Sequence, residues 1–567
     1  MHDLIIRGAR IVDGTGAAAR TGDVAVSGGR IVEVADRVDG LGHREVDADG
    51  LVLTPGFVDV HTHYDGQVTW DPELTPSSWH GVTTVVMGNC GVGFAPVRPG
   101  GQEFLIELME GVEDIPGTAL AEGIDWRWES FGEYLDALDE TARVLDVAAQ
   151  VPHAALRAYV MGERAHEAAD ADEIEQMARL TEQALRDGAI GVTTSRTFIH
   201  RSKHGAVPGT YAPPDEVLAL GDAIVHAGHG VFQLISDRPG GEEERAWIVE
   251  IARRTGRTVT YSMAQTPPNA EEYVDLLADA ERLQAEGLRI VPQVPTRPTG
   301  MLFGLQSSLH PFLTHPTYRR SLASLPLADR VAEMRKPEVR EALLSEEAQT
   351  GSAIARLLIS RFDQIFPLGD PPDYEPPASA SVAAVAVRTG VRPEEVVYDW
   401  LLENEGRALL FAPLSSYVDG DHEAIRRMMT SPSSILGLGD GGAHCGLICD
   451  ASMPTTLLTH WVRDRTRGER ISLEEAVRMY TARPAEAYGF TDRGTIEAGK
   501  RADLNLIDVD GLRLHAPEMV FDLPAGGRRL IQRADGYVST FVAGEQTFSN
   551  GEATGARPGR LVRAPVG

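Results

Sequence analysis

His61 and His63 stand two residues apart, where the apolar run Leu53–Val60, a predicted strand, ends. Alternate residues of a strand face the same side, so both imidazoles can point at one ion while Thr62 faces away. Histidine nitrogens are common ligands of zinc. The alternative, two polar loop residues without a function, loses weight because other ligand types follow at similar strand ends. The pair therefore predicts a metal site.

Two further residues of ligand type follow predicted strands. Cys90 comes after the strand candidate 83–86, in Gly88-Asn89-Cys90-Gly91, and can supply a thiolate to zinc. Asp440 ends the apolar run 434–438 and is flanked by Gly439 and Gly441. The alternative readings are a buried free thiol for Cys90 and a helix-capping carboxylate for Asp440. A carboxylate at this point can ligate an ion and accept a proton from its water.

These residue types together predict hydrolysis by metal-activated water. Zinc with three protein ligands and one open position lowers the pKa of a coordinated water to about 7. Asp440 then handles the proton, and the metal polarises the scissile carbonyl. His444 and Cys445 are candidates for supporting roles or ordinary loop residues, and Cys445 and Cys449 are interpreted as free thiols because no second pair completes a structural zinc site.

Alternating strands and helices must position these side chains. Strands are predicted near 83–86, 190–194, 230–235, 258–261, 289–293 and 434–438, and helices over 171–186, 214–227 and 270–287. Such alternation predicts a parallel α/β fold. Because residues of ligand type lie at several strand ends, a (β/α)8 barrel is favoured over an open sheet.

The two ends of the chain look alike and differ from the middle. Short strands punctuated by glycine are predicted over 4–34, and again at 494–496, 502–508 and 536–542. We therefore expect a small β-sandwich split between 1–53 and 489–567, with the barrel over 54–488 inserted in it. Segment 299–391 fits the alternation poorly and is interpreted as an insertion covering the barrel mouth. The tail 551–567 is expected to be loosely ordered or an extension.

Bulk composition narrows the class of protein. The net charge of −30 disfavours nucleic acid and anionic membranes as partners. Three cysteines form no disulfide framework, which indicates a reducing compartment. With no apolar run of membrane-spanning length and no signal-peptide pattern at residue 1, a cytoplasmic location is expected. A small-molecule amide is the expected partner, and a homo-oligomer stays open.

Rival catalytic motifs are weak. The chain contains no Gly-x-Ser-x-Gly nucleophile elbow. Gly494 to Lys500 has the spacing of a phosphate-binding loop, but Arg501 stands where serine or threonine is needed. Gly437, Gly439 and Gly442 match a dinucleotide-binding pattern that is common by chance, and the following residues make a poor helix start.

Several runs resemble the N-acyl-D-amino-acid deacylases of the amidohydrolase superfamily. The runs are Pro-Gly-Phe-Val-Asp-Val-His-Thr-His (55–63), Asn-Cys-Gly (89–91), Pro-Gly-Thr-Tyr-Ala (208–212), Gly-Asp-Gly (439–441) and the segment 493–504. The resemblance implies a TIM-like barrel with a small β-sandwich, and zinc chemistry on an N-acyl amide. It also implies that His61, His63, Cys90 and Asp440 are metal ligands, that Asp440 is the general base, and that Tyr211 contacts substrate.

The chain departs from the family in two places. Gln233 and Met263 stand where the family has histidines that complete the cysteine's zinc site. Glutamine is a poor zinc ligand and methionine prefers softer ions, so one zinc ion is expected and a second is left open. His200 and His204 are candidate substitutes.

The second departure concerns the substrate carboxylate, which the family holds with basic residues. Here Gln265 and the uncharged run 446–449 occupy those regions. Arg297 is a candidate replacement, with a surface arginine as the other reading. Three functions therefore stay open: a hydrolase of linear amides, which is favoured, a cyclic amide or imide hydrolase, and a non-catalytic metal-binding barrel. Stereochemistry and metal identity also stay open.

Overall fold

Parallel strands lie at the centre of the mixed α/β fold. A computed structural model describes residues 1–267, 269–350 and 353–564. A three-stranded parallel sheet contains Phe57–Asp59, Val82–Met87 and Asp146–Ala149, in that order. A six-stranded parallel sheet contains, also in order, Val151–Pro152, Gly191–Arg196, Val231–Ser236, Val259–Ser262, Ile290–Val294 and Ile435–Leu436.

The two parallel sheets are connected at both edges. Gln150 alone separates Asp146–Ala149 of one sheet from Val151–Pro152 of the other. At the opposite edges Thr62 and Gly441 form a parallel bridge. The amide of His63 donates to Gly441 O at 2.8 Å, and the amide of Asp440 donates to His61 O at 3.0 Å. Backbone hydrogen bonds therefore connect the residues that follow the first and last parallel strands.

Helices lie between the strands, and two of them have the predicted bounds. Ala171–Arg186 begins after Asp170, whose side chain forms a reciprocal capping box with Glu173, and Pro214–Ala227 begins with the proline that suits a first turn. The other α-helices are Gln102–Glu113, Gly117–Gly123, Phe131–Asp139, His153–Met161, Glu242–Thr255, Glu272–Ala285, Pro316–Ser321, Leu327–Met334, Pro337–Ser345, Ala353–Ser360, Val382–Thr389, Pro393–Leu401, Glu403–Gly406, Glu423–Thr430, Met453–Thr456, Leu473–Tyr480 and Ala482–Tyr488, with a π-helix over Leu457–Asp464.

A separate nine-stranded sheet combines the two ends of the chain. Its strands are His2–Ile11, Arg20–Ser27, Arg30–Ala35, Gly42–Asp47, Val52–Pro55, Leu504–Ile507, Tyr537–Val542, Glu545–Ser549 and Glu552–Ala553. Val52–Pro55 pairs antiparallel with Leu504–Ile507, which joins the early strands to the late ones. The similarity between the chain ends therefore reflects membership of one sheet.

Two strand predictions need correction. The single strand expected over 53–60 is two strands, broken at Gly56, where a Cβ would lie 2.1 Å from Thr83 Oγ1. The chain crosses there from the nine-stranded sheet to the parallel one. No strand forms at 494–496. The Ile496 amide donates one hydrogen bond to Asp13 O at 2.9 Å, but the segment does not pair with a strand of the sheet.

Buried ion pairs connect the late segment to the parallel strands. Asp146, which begins a parallel strand, accepts from Arg493 Nη1 at 2.8 Å and from Arg501 Nη2 at 2.9 Å. All three residues are buried. Charges removed from water need partners of this kind, so both arginines of the 493–504 run have a structural explanation.

A small antiparallel sheet lies in the segment that begins at residue 299. Its strands are Gly300–Phe303, Phe366–Pro367 and Leu410–Pro413. The apolar core of this segment runs from Met301 to Ala412, so it extends past the insertion end that was expected at 391.

The C-terminal tail packs on the rest of the protein. Gly559 forms a β-bridge with Arg143, and Leu561 forms one with Val147, so this part is an extension and not loosely ordered. The last residues, 565–567, lie outside the described part. The remaining strands are Arg201–Ser202, Gly205–Ala206, Arg513–Leu514, Glu518–Leu523, Gly527–Ile531 and Ala534–Asp535. Within the described residues, no helix combines the length and apolarity that crossing a bilayer requires.

Candidate metal centre

Four sequence-predicted residues converge beyond the ends of the parallel strands. His61, His63 and Cys90 are buried and offer ligand atoms that all lie within 4.8 Å of one another. His61 Nε2 lies 3.2 Å from Cys90 Sγ. Asp440 Oδ1 lies 3.4 Å from His61 Nε2 and 3.8 Å from His63 Nε2. The structure thus assembles two nitrogens, a sulfur and a carboxylate oxygen around one point.

Local backbone contacts hold the histidines and Cys90 in place. Thr62 Oγ1 donates to Val86 O at 2.8 Å, which turns this side chain away from the two imidazoles. Cys90 has φ 56°, and its amide donates to Gln233 Oε1 at 3.1 Å. A Cβ on the following Gly91 would lie 2.6 Å from Ser195 N, so only glycine lets this turn approach the neighbouring strand.

The loop that carries Asp440 has an unusual backbone. Leu438, Asp440 and His444 have φ values of 64°, 46° and 52°, in the left-handed region that costs energy for residues with a Cβ. A Cβ at Gly439 would lie 2.0 Å from Asp59 Oδ2. The glycines around Asp440 therefore allow the close approach of its backbone to the strand end that carries His61.

Each histidine has a further side chain at its second ring nitrogen, and the sequence revealed neither. His61 Nδ1 donates to Gln293 Oε1 at 2.8 Å, and Gln293 Nε2 donates to the Tyr488 hydroxyl at 2.8 Å. His63 Nδ1 lies 3.5 Å from Glu113 Oε1. One sequence pattern could have indicated Glu113. It is an acidic residue on the apolar face of a helix, the face that also buries Leu105, Leu108, Met109 and Val112.

Acidic groups dominate the electrostatics of this centre. The pKa of the Glu113 carboxyl is raised well above its ordinary value by burial and by the charges of Asp440 and Asp65. Burial raises the pKa of Asp65 to about 7. The pKa of the Cys90 thiol is raised by burial and then by Glu113 and Asp440. A cation at this point would relieve the crowding of negative charge.

The residues present fit a divalent cation. In the part of the chain that the structure describes, Asp440 Oδ1 is buried without a hydrogen-bond partner, and it faces His61 Nε2 and His63 Nε2. A buried polar atom without a partner is costly, and its position beside imidazole and thiol donors indicates a site for a positive group. Imidazole, thiolate and carboxylate are the three donor types found in zinc sites.

The other residues singled out in the sequence fall in different places. Tyr211 has 75 % of its surface exposed and so does not join the buried cluster. Gln233 is bonded to the Cys90 amide, and Met263 is buried. His200 contacts Ser195 Oγ at 3.1 Å, and burial, followed by His444 and His61, lowers its pKa to about 3. His204 lies outside the cluster, paired with Glu107 at 2.8 Å.

Both readings of Arg297 need correction. Its side chain is buried and pairs with Asp450 at 3.1 Å, so it is neither a surface arginine nor a free clamp for a carboxylate. Gln265 is also engaged, donating to Asp419 Oδ2 at 2.7 Å and accepting from the Val418 amide at 3.1 Å. Cys445 and Cys449 are free thiols, as predicted, and both are buried.

Comparison with known proteins gives matches along nearly the whole chain. The model of a family described as "Amidohydrolase family" matches residues 44–548. D-aminoacylase of Alcaligenes xylosoxydans xylosoxydans is 27 % identical over 565 residues, covering 99 % of this chain and 97 % of that protein. N-acyl-D-glutamate deacylase of Bordetella bronchiseptica, solved with zinc and a phosphonate inhibitor, superposes with a TM-score of 0.66 at 24 % identity and covers 99 % of this chain and 100 % of its own. A D-aminoacylase structure, described for its binuclear metal center, has a TM-score of 0.66 and 24 % identity with 100 % of both chains covered. At these identities the two structures establish a shared fold.

Proposed function

The chain belongs to the amidohydrolase family, and we propose that it is a zinc-dependent hydrolase that cleaves a non-peptide amide bond. The observation that carries this proposal is the buried convergence of His61, His63 and Cys90 on one point beside Asp440. The names of its relatives, D-aminoacylase and N-acyl-D-glutamate deacylase, support removal of an acyl group from nitrogen as the reaction.

We propose that His61, His63, Cys90 and Asp440 would hold one zinc ion, with a further position open to water, because catalytic zinc sites keep such a position. When bound, zinc supplies Lewis acidity that polarises an amide carbonyl and lowers the pKa of a water molecule. The zinc in the related deacylase structure supports the choice of metal. One ion is proposed because Gln233 and Met263 lack imidazole nitrogens, and Gln233 already accepts from the Cys90 amide.

Asp440 is proposed as the general base. Its Oδ1 faces both His61 Nε2 and His63 Nε2 and is buried without a hydrogen-bond partner among the described residues. The carboxylate would take a proton from water as the water oxygen bonds to the amide carbon. It would then return that proton to the departing nitrogen as the C–N bond breaks. The products are a carboxylic acid and an amine.

We propose that the substrate is an amide with no carboxylate group that a basic residue must bind. Arg297 is already paired with Asp450, and Gln265 with Asp419, so neither is free to bind an anion. Tyr211 remains a proposed substrate contact, because an exposed aromatic side chain can cover a bound ligand. The pairing of Arg297 with Asp450 also favours a second candidate substrate, a cyclic amide or imide. Opening such a ring does not require a basic residue that binds a substrate carboxylate.

The architecture proposed for this chemistry is one closed (β/α)8 barrel over 54–488. Two connections support closure of the two parallel sheets into one barrel. Thr62 and Gly441 form a parallel bridge at one pair of edges, and Gln150 continues the chain from one sheet to the other at the second pair. A split β-sandwich over 1–53 and 489–567 is supported by the pairing of Val52–Pro55 with Leu504–Ile507. The segment that starts at 299 is proposed as the insertion over the barrel mouth. Its apolar core, from Met301 to Ala412, extends past the expected end at about 391.

The proposed function is tested by metal content and turnover of the same preparation. We expect about one zinc per chain in protein purified without chelator, and hydrolysis of linear N-acyl amides with uncharged amine halves. Faster opening of lactams or imides would favour the cyclic candidate. No metal on purification and none bound on titration would overturn the proposal and support a non-catalytic barrel.

Placing histidines at positions 233 and 263, as the family resemblance implies, is expected to add a second ion. In the double variant Gln233→His with Met263→His, the zinc content should rise from about one to about two per chain, because two imidazoles would join Cys90. Elemental analysis after dialysis against zinc measures the count. Gln233→Asn with Met263→Leu is the matched control and should keep one ion. An unchanged count in the histidine variant would contradict the alignment of these positions.

A further inference from the structure

Glu113 faces the far side of His63, away from the atoms that the proposed reaction uses. Its Oε1 lies 3.5 Å from His63 Nδ1, while His63 Nε2 is the nitrogen that faces Asp440 Oδ1 at 3.8 Å. We propose that Glu113 is a positioning residue of the metal centre: it accepts the Nδ1–H of His63 and so keeps Nε2 free for the ion. This inference rests on the proposed function, because it assigns a role toward the same metal.

The arrangement around the two histidines supports this role. His61 has an acceptor at Nδ1, Gln293 Oε1 at 2.8 Å, and presents Nε2 to Cys90 and Asp440. His63 has the same orientation, with a carboxylate in place of the amide oxygen. Histidines that bind metals usually donate their other N–H to a carboxylate or carbonyl, which sets the tautomer and the ring orientation. Glu113 and Gln293 therefore occupy equivalent positions.

A purely structural role does not explain why an acidic residue is buried at position 113. The residue is 1 % exposed at the end of the apolar face of Gln102–Glu113, and its Oε1 has no hydrogen-bond partner among the described residues. An apolar side chain would pack there at lower cost, because a buried acid loses hydration. Acceptance of the Nδ1–H of His63, whose Nε2 would bind the metal, would compensate that loss.

The second oxygen of Glu113 extends its contacts to the loop that carries Asp440. Glu113 Oε2 lies 3.5 Å from His444 Nε2, and Glu113 O accepts from the His444 amide. His444 belongs to the loop whose backbone has left-handed residues at Leu438 and Asp440. One carboxylate thus stands between the strand end that supplies His63 and the loop that supplies Asp440, so it can fix their separation.

The test measures metal affinity, which does not depend on knowing the substrate. Cobalt(II) and zinc are titrated into metal-free wild type, Glu113→Gln, Glu113→Ala and the control Glu103→Gln, an exposed acid on the same helix. We expect Kd to rise about 10-fold for Glu113→Gln, whose amide oxygen can still accept, and up to about 100-fold for Glu113→Ala. Glu103→Gln should match wild type.

The visible spectrum of the cobalt forms separates positioning from ligation. Glu113→Gln should keep the wild-type stoichiometry and the thiolate-to-cobalt absorption, because the ligands are unchanged. Wild-type Kd in both variants would overturn the inference, as would loss of one equivalent of cobalt, which would make Glu113 a ligand. Circular dichroism of the metal-free proteins checks folding, and if the alanine variant does not fold, the Kd of the glutamine variant decides. A wild type that binds neither metal would overturn the proposed function itself.

Discussion

Asp440→Asn is expected to lower kcat/KM for the amide substrate by about 10³-fold, within the range that general-base catalysis contributes. Asparagine keeps the shape of the side chain, but its amide cannot take a proton from water. The left-handed backbone at Asp440 also tolerates asparagine better than most other residues. The fold should therefore survive, and far-UV circular dichroism should be unchanged.

The assay must separate loss of the base from loss of metal, because Asp440 is also a proposed ligand. Turnover is measured at saturating zinc, with the bound zinc counted in the same sample. Asp464→Asn is the matched control: its carboxylate is half exposed and pairs with Arg463 at the surface. Full activity of Asp440→Asn at one zinc per chain would remove this residue from the mechanism.

Cys90→Ser is expected to produce the second large effect, a rise in the zinc Kd of about 100-fold or more. This exceeds the 10–100-fold range typical of residues that only support a ligand, because a thiolate bond is lost. The cobalt form of wild type should show a thiolate-to-cobalt absorption that is missing in Cys90→Ser. Cobalt titration measures both quantities in one experiment.

Cys449→Ala provides the control for this second prediction, since Cys449 is likewise a buried free thiol. It should keep both the wild-type Kd and the thiolate absorption. If Cys90→Ser also keeps them, Cys90 is a packing residue, and the metal depends on His61, His63 and Asp440 alone. The contrast between the two cysteines therefore tests the ligand assignment directly.

Local patterns in the sequence determined the elements and the candidate residues. The helices predicted over 171–186 and 214–227 have the observed bounds. Alternation along a strand predicted that His61 and His63 share one side, and the observed cluster includes both. These features depend on interactions between residues close in the chain, which a sequence displays directly.

Tertiary structure decided which distant residues meet. Glu113 Oε1 lies 3.5 Å from His63 Nδ1, and no local pattern specifies this contact between a helix end and a distant strand end. Similarly, Arg297 is a charged residue in the sequence, but its pairing with Asp450 decides that it is buried and engaged. Position 56 requires glycine because Thr83 on the neighbouring strand leaves no room for a Cβ. Each outcome depends on contacts between residues far apart in sequence, whose energies exist only once the sheets and helices have assembled.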